Sequence, residues 1–337
     1  LQGDQALDYD PQPKGILSAR EAVVRYYSEQ HSGLELDPES VVLTTSTSEA
    51  YSYIFRLLCN PGDEVLIAKP SYPLFDFLAD LQDVKLVPYT LIYDHGWQID
   101  FPSLSGSVTS RTRAAVLVHP NNPTGSHVSA TERDLLNGFC RERGLALIVD
   151  EVFLDYPHNG EIRPTFAANQ EVLTFTLSGL SKISALPQMK AAWLIVSGPT
   201  ATQRMALERL EMIADTFLSM SAPIQLALPT LLNYRRNIQP ALMERVSHNL
   251  RVLDHQILSQ KSCTCLDVQA GWYAVLRIPA IQSDEETAIE ILRKQSVLVH
   301  PGHFFDFPND GFLILSLITP PEQFKEGIRR VLALLNR

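Results

Sequence analysis

Lys182 closes the run Ser178-Gly179-Leu180-Ser181-Lys182, shortly after an apolar stretch at residues 172–175. A lysine is ordinarily a solvated surface residue. In a desolvated site beside another cation, its amine becomes a nucleophile able to form a Schiff base. Lys190, eight positions on, would be that cation if a phosphate held it there. Asp150-Glu151 ends a second apolar stretch, 145–149. The carboxyl ends of buried strands are where α/β sheets bind ligands, so a carboxylate here is a candidate ligand group, and equally a helix cap or a surface charge. Pro120-Asn121-Asn122-Pro123-Thr124-Gly125 follows the stretch 114–118 and consists of turn residues that need no further role. Thr44-Thr45-Ser46-Thr47-Ser48 follows 41–43 and opens a helical stretch. Hydroxyls and free N–H groups at such a place suit a phosphate, and they suit a plain helix cap as well.

These loops are only as useful as the elements that present them. Apolar runs recur at 41–43, 65–68, 84–87, 114–118, 145–149, 172–175 and 191–196, and amphipathic stretches at 48–58, 73–81 and 131–143 fall between them. Short apolar runs without strict alternation suit strands buried on both faces. Their alternation with helices predicts an α/β fold of three layers with a mainly parallel sheet. A further helix is expected over 19–30. Beyond residue 200 the pattern changes to long helices at 201–214 and 230–258. Strands at 272–278 and 312–317 then mix with helices at 285–295 and 321–335, which predicts a smaller C-terminal α+β domain. The expected division is 1–240 and 241–337.

Composition narrows the function classes. The 337 residues carry a net charge of −10 and an isoelectric point near 5.4, a poor electrostatic footprint for nucleic acid. No apolar run reaches the roughly 18 residues of a membrane-spanning helix. Four scattered cysteines make no disulfide framework, and Cys263-x-Cys265 lacks a second pair with which to bind a metal. A cytoplasmic location is expected. Gly-x-Gly-x-x-Gly, Gly-x-x-x-x-Gly-Lys-Ser/Thr and His-Glu-x-x-His are all absent.

Asn-Asn-Pro-Thr-Gly, Asp-Glu-Val-Phe and Ser-Gly-Leu-Ser-Lys, in this order and at these separations, resemble the fold-type I aminotransferases of class I/II. The resemblance runs from about residue 8 to the C-terminus. It implies pyridoxal 5'-phosphate as cofactor, bound as a Schiff base by Lys182, which then shuttles the substrate proton. Asp150 would pair with the pyridine nitrogen, Asn122 with the phenolic oxygen, and Tyr72 would stack on the ring. Ser46, Thr47 and Ser48 would hold the phosphate, helped by Ser178 or Ser181 and by Lys190. Tyr9 resembles the tyrosine that reaches the partner subunit's phosphate, which implies a homodimer. The implied reaction is a ping-pong transfer from an amino donor to a keto acceptor.

Three positions depart from the family pattern. Lys190 stands where arginine is usual and supplies charge without the bidentate fork. Phe153 stands where a tyrosine usually donates to the phenolic oxygen; its loss is expected to raise the Schiff-base pKa, since that donor favours the deprotonated form. Ile314 stands where an arginine usually clamps the substrate carboxylate, and His300, His303 and Arg277 are possible substitutes. The resemblance also implies a substrate-covering segment ahead of Tyr9, of which this sequence, opening on Leu1, shows little. A C–S β-lyase, a decarboxylase or a cofactor-binding regulatory domain would use the same scaffold.

Overall fold

The computed structural model describes residues 4–160 and 163–336. Eight strands form the large sheet: β1 (Val41–Thr44), β2 (Glu64–Lys69), β3 (Lys85–Tyr93), β4 (Trp97–Ile99), β5 (Thr112–Val118), β6 (Ala146–Asp150), β7 (Thr174–Gly179) and β8 (Ala192–Ser197). Their order is β1-β8-β7-β6-β5-β2-β3-β4. The central strands β6, β7 and β8 are buried along their whole length, β6 and β8 as unalternating apolar runs and β7 (Thr-Phe-Thr-Leu-Ser-Gly) with buried hydroxyls between its apolar residues. One face is covered by the helices Thr47–Leu58 and Thr200–Phe217, the other by the helix Ala130–Arg143. These are the three layers expected.

The sheet is mainly parallel, as expected, with reversals toward its two edges. Four of its pairings are parallel, and three are antiparallel: β8 with β1, β8 with β7, and β4 with β3. The reversal at β8 has a local cause. β7 does not stop at Phe175 but runs on to Gly179, and Gly179 pairs with Ala192 at the start of β8. A Cβ on Gly179 would stand 2.8 Å from the Ala192 Cβ, so only glycine lets the hairpin close this tightly. The turn between the two strands therefore sits at the carboxyl edge of the sheet and carries both Lys182 and Lys190.

A second sheet of four strands follows: β9 (Thr264–Cys265), β10 (Tyr273–Arg277), β11 (His300–Pro301) and β12 (Phe312–Ser316), all pairings antiparallel. Leu313 and Leu315 face its own helices, whereas Val275 and Ile314 join the core of the large sheet. The long helix expected over 230–258 is two helices, Ala222–Asn233 and Arg235–Leu258. At Tyr234 the turn tightens, with the Asn237 N–H donating to the Tyr234 carbonyl (3.0 Å). No described helix is long and apolar enough to cross a membrane.

Candidate active site

A cleft of about 360 Å³ opens at the carboxyl edge of the large sheet. Its lining includes Ser46, Thr47, Ser48, Tyr72, Asn122, Asp150, Ser181, Lys182 and Lys190, so nine of the sequence-predicted residues share one cavity. Two others stand apart. Ser178 lies within β7, buried, its hydroxyl lacking a partner. Tyr9 is 83% exposed and outside the cleft of its own chain.

Each wall has a local reason. The Ser46 hydroxyl caps the helix Thr47–Leu58 by accepting from the Glu49 N–H (3.1 Å), and Glu49 in turn accepts from the Thr45 N–H (2.6 Å). The N–H groups of Thr47 and Ser48, ahead of Glu49 in the first turn, are left at the positive end of that helix beside the cavity. The turn after β5 is pinned by Asn121, whose Nδ2 donates to the Pro70 carbonyl (3.1 Å) and to Thr124 Oγ1 (3.0 Å). Gly125 has φ +69°, and a Cβ there would meet the Ala270 carbonyl oxygen at 2.3 Å. With Asn121 and Gly125 holding the turn, Asn122 points inward, its Oδ1 buried and unpartnered.

Asp150 ends β6 at the floor. Its carboxylate accepts from the Val152 N–H (3.1 Å) and from the Tyr51 hydroxyl (3.4 Å). Burial pushes its pKa up to about 6, against the pull of those donors and of Lys182. Lys182 sits on the short helix Leu180–Ile183, where burial lowers its amine pKa and Asp150 opposes that. Lys190 holds a left-handed backbone (φ +51°) after the turn Pro187–Met189 and makes no ion pair among the described residues. Tyr72 packs edge-on to Phe75 (5.9 Å), which packs edge-on to Tyr51 (5.1 Å).

Sequence reasoning missed Tyr51, Tyr156, Trp272 and Tyr273. Tyr51 was within reach of it, standing one helical turn beyond Thr47 and Ser48. Tyr273 lines the cleft from the small sheet, across from Asp150, and only the fold brings it there. Ile314 is 1% exposed and clusters with Phe305 and Phe307. None of His300, His303 and Arg277 lines the cleft; Lys182 and Lys190 are the cations among its described lining residues.

The cavity suits a flat ring with a hydrogen-bonding nitrogen, a polar oxygen and an anionic tail. The carboxylate of Asp150, the side-chain amide of Asn122, and Lys190 beside a helix N-terminus are the complementary groups.

The family model "Aminotransferase class I and II" matches residues 4–331. A glutamate-pyruvate aminotransferase of Haemophilus influenzae is 28% identical over 331 residues, covering 96% of this chain and 81% of its own length. An alanine aminotransferase of Mycobacterium tuberculosis is 28% identical over 325 residues, covering 94% and 76%. Among solved structures, a tyrosine aminotransferase from Leishmania infantum superposes with a TM-score of 0.88 at 24% identity, covering 96% of this chain and 82% of that one. An alanine aminotransferase from Pyrococcus furiosus gives 0.87 at 24%, covering 97% and 84%.

Proposed function

The chain belongs to the class I and II aminotransferases, enzymes that use pyridoxal 5'-phosphate to move an amino group between amino and keto acids, and we propose that Lys182 is the residue that binds this cofactor covalently. The observation that carries the assignment is the convergence of Lys182, Asp150, Asn122 and Lys190 on one cleft, from β7, β6, β5 and the start of β8. When bound, the cofactor supplies a carbonyl that takes up the amino group and a ring that draws electron density from the substrate α-carbon.

The chain's own groups then divide the work. The Lys182 amine takes the proton from the substrate α-carbon and returns it; burial lowers its pKa, which leaves more of it in the neutral, accepting form at neutral pH. Asp150, its carboxyl raised to about 6 by burial, would hold a proton on the ring nitrogen, and a positive partner there would favour its ionised form. Asn122 hydrogen-bonds the phenolic oxygen, and Tyr72 covers the ring. Ser46, Thr47, Ser48, Ser181 and Lys190 hold the phosphate, with Ser178 behind them.

Three wider features belong to the same reading. The enzyme is a homodimer in which Tyr9 enters the partner's cleft; the exposure of Tyr9 and of Leu7 beside it supports this. The domain division runs through the helix Arg235–Leu258, which links the two sheets. Four free cysteines fit the reducing cytoplasm.

Borohydride reduction of the cofactor-loaded protein followed by peptide mapping tests the assignment: the label is expected on Lys182, and a label on another lysine overturns it. Absorbance titration with amino donors, beginning with alanine and glutamate, then reads the half-reaction, and pyruvate is expected to reverse it. Release of ammonia, sulfide or carbon dioxide instead would mark a lyase or a decarboxylase. A cofactor band that no donor alters would mark a regulatory domain.

A further inference from the structure

Lys182 is held at both ends by aromatic residues. Its carbonyl accepts from the Tyr156 hydroxyl (2.6 Å). Its Nζ lies 5.1 Å from the Trp272 ring centroid and 5.4 Å from that of Phe153. The three rings brace one another edge to face, Trp272 against Phe153 at 5.4 Å and against Tyr156 at 5.0 Å. All three belong to the buried core under the small sheet, so their positions are set by packing. Gly271, with φ +84°, turns the chain so that the Trp272 ring reaches this place.

The ammonium form of Lys182 is thus pulled in two directions. Burial removes water from it, and Asp150 at the cleft floor attracts it. Lys190 lines the same cleft and adds positive charge, while the hydroxyls of Tyr72 and Tyr273 stay neutral, their pKa values raised by burial. A cation close to the face of an aromatic ring is attracted by the ring's quadrupole, most strongly where water is excluded.

We propose that Phe153 and Trp272 form an aromatic seat for the Lys182 ammonium, stabilising the lysine in the interval when it carries the substrate's proton and is not bonded to the cofactor. Phe153 and Trp272 are positioning residues in this scheme, acting through the lysine. The seat also gives Phe153 a purpose: a tyrosine hydroxyl there would address the cofactor, whereas a bare ring beside Trp272 addresses the amine. The inference rests on Lys182 being the cofactor lysine.

The test loads the enzyme with pyridoxamine 5'-phosphate, which leaves the lysine amine free. The pH dependence of Lys182 acylation is then followed by mass spectrometry in wild type, Trp272→Leu and Trp272→Phe. Leucine keeps the site apolar and removes the ring face, so the acylation midpoint is expected to fall by about one pH unit. Phenylalanine keeps a face and is expected to retain most of the wild-type midpoint. An unchanged midpoint in Trp272→Leu, or an equal shift in both variants, overturns the seat. Should Trp272→Leu fail to fold, Phe153→Leu removes the other face with the same expected direction, and an unchanged midpoint there is equally fatal. Borohydride labelling of the same variants loaded with pyridoxal 5'-phosphate separates the two claims, because a label away from Lys182 sinks the cofactor assignment instead.

Discussion

The wall of the cleft built by the large sheet and the wall built by the small sheet are made on opposite terms. On the large-sheet side, Asn122 Oδ1 is buried without a partner, as is Ser178 Oγ within β7 outside the cleft lining, and Asp150 is held in a place that raises its pKa. Each unpaired buried polar group costs about 1–3 kcal/mol. On the small-sheet side, Tyr273 of β10 lines the cleft, and away from the lining Val275 of β10 and Ile314 of β12 join the core cluster that holds Phe305 and Phe307. Those apolar side chains are satisfied by their own packing. The first wall presents polar groups to the cavity, and the second presents a ring. The small sheet therefore gives the cleft one ring, Tyr273, while the charged lining residues Asp150, Lys182 and Lys190 come from the large one.

Asp150→Asn strikes the polar wall hardest. Transamination is expected to fall on the order of 10²-fold, as for the loss of one preorganised charge in a dry site. Steady-state kinetics reads this, and a drop smaller than tenfold would mean that the floor carboxylate is dispensable. Ile314→Arg asks whether the apolar wall can be made polar. The guanidinium replaces a core side chain with no partner nearby, so stability is expected to fall by about 3 kcal/mol in urea denaturation. If the variant is instead stable and binds keto acids more tightly, the two walls are not distinct in kind.

A smaller effect follows from Glu151, next to Asp150 but turned away from the cleft. It accepts from Thr165 Oγ1 (2.5 Å) and the Phe166 N–H (2.6 Å), and burial pushes its pKa up to about 8. Its ordinary value is 4.5. Between those values the unfolded chain has lost the proton and the folded chain keeps it, so stability declines as pH rises from about 4.5 to about 8. One proton contributes a slope of at most about 1.4 kcal/mol per pH unit. Glu151→Gln is expected to flatten the profile, and an unaltered slope would place the effect elsewhere. The smallest effect concerns the join between the walls. Lys69 at the end of β2 pairs with Asp306, with Asp76 at 3.7 Å, and the Ser71 N–H donates to the Phe305 carbonyl (2.9 Å). Lys69→Met is expected to lower stability by no more than about 1 kcal/mol. A larger loss would show that the two walls depend on a single ion pair.

The polar wall was largely legible in the sequence and the apolar wall was not. Asn122, Asp150 and Lys182 each follow an unalternating apolar run, and the end of such a run is where a buried strand delivers its next residue to solvent or ligand. Ser178 and Ser181 could not be told apart, because the decision lies in how far β7 extends; it runs past Ser178 and leaves Ser181 to the cleft. Trp272 gave no signal at all. Its place beside Lys182 comes from the small sheet folding back over the large one, a contact without local pattern. The reversal of β8 was equally hidden, since an apolar run carries no direction, and so was the break at Tyr234 inside a continuous helical pattern.

The pairing of β1 with β8 has a bearing on how the molecule comes to be made. The first strand of the large sheet lies beside its last, so the hydroxyls that follow β1 meet the lysine that precedes β8 only after every strand between them has been synthesised. Contacts so distant along the chain form late and slowly. A partly folded chain has no complete cradle, and the cofactor can select only finished molecules, which it then stabilises by mass action. Uptake of pyridoxal 5'-phosphate during refolding is therefore a stopwatch for the closing of the last strand.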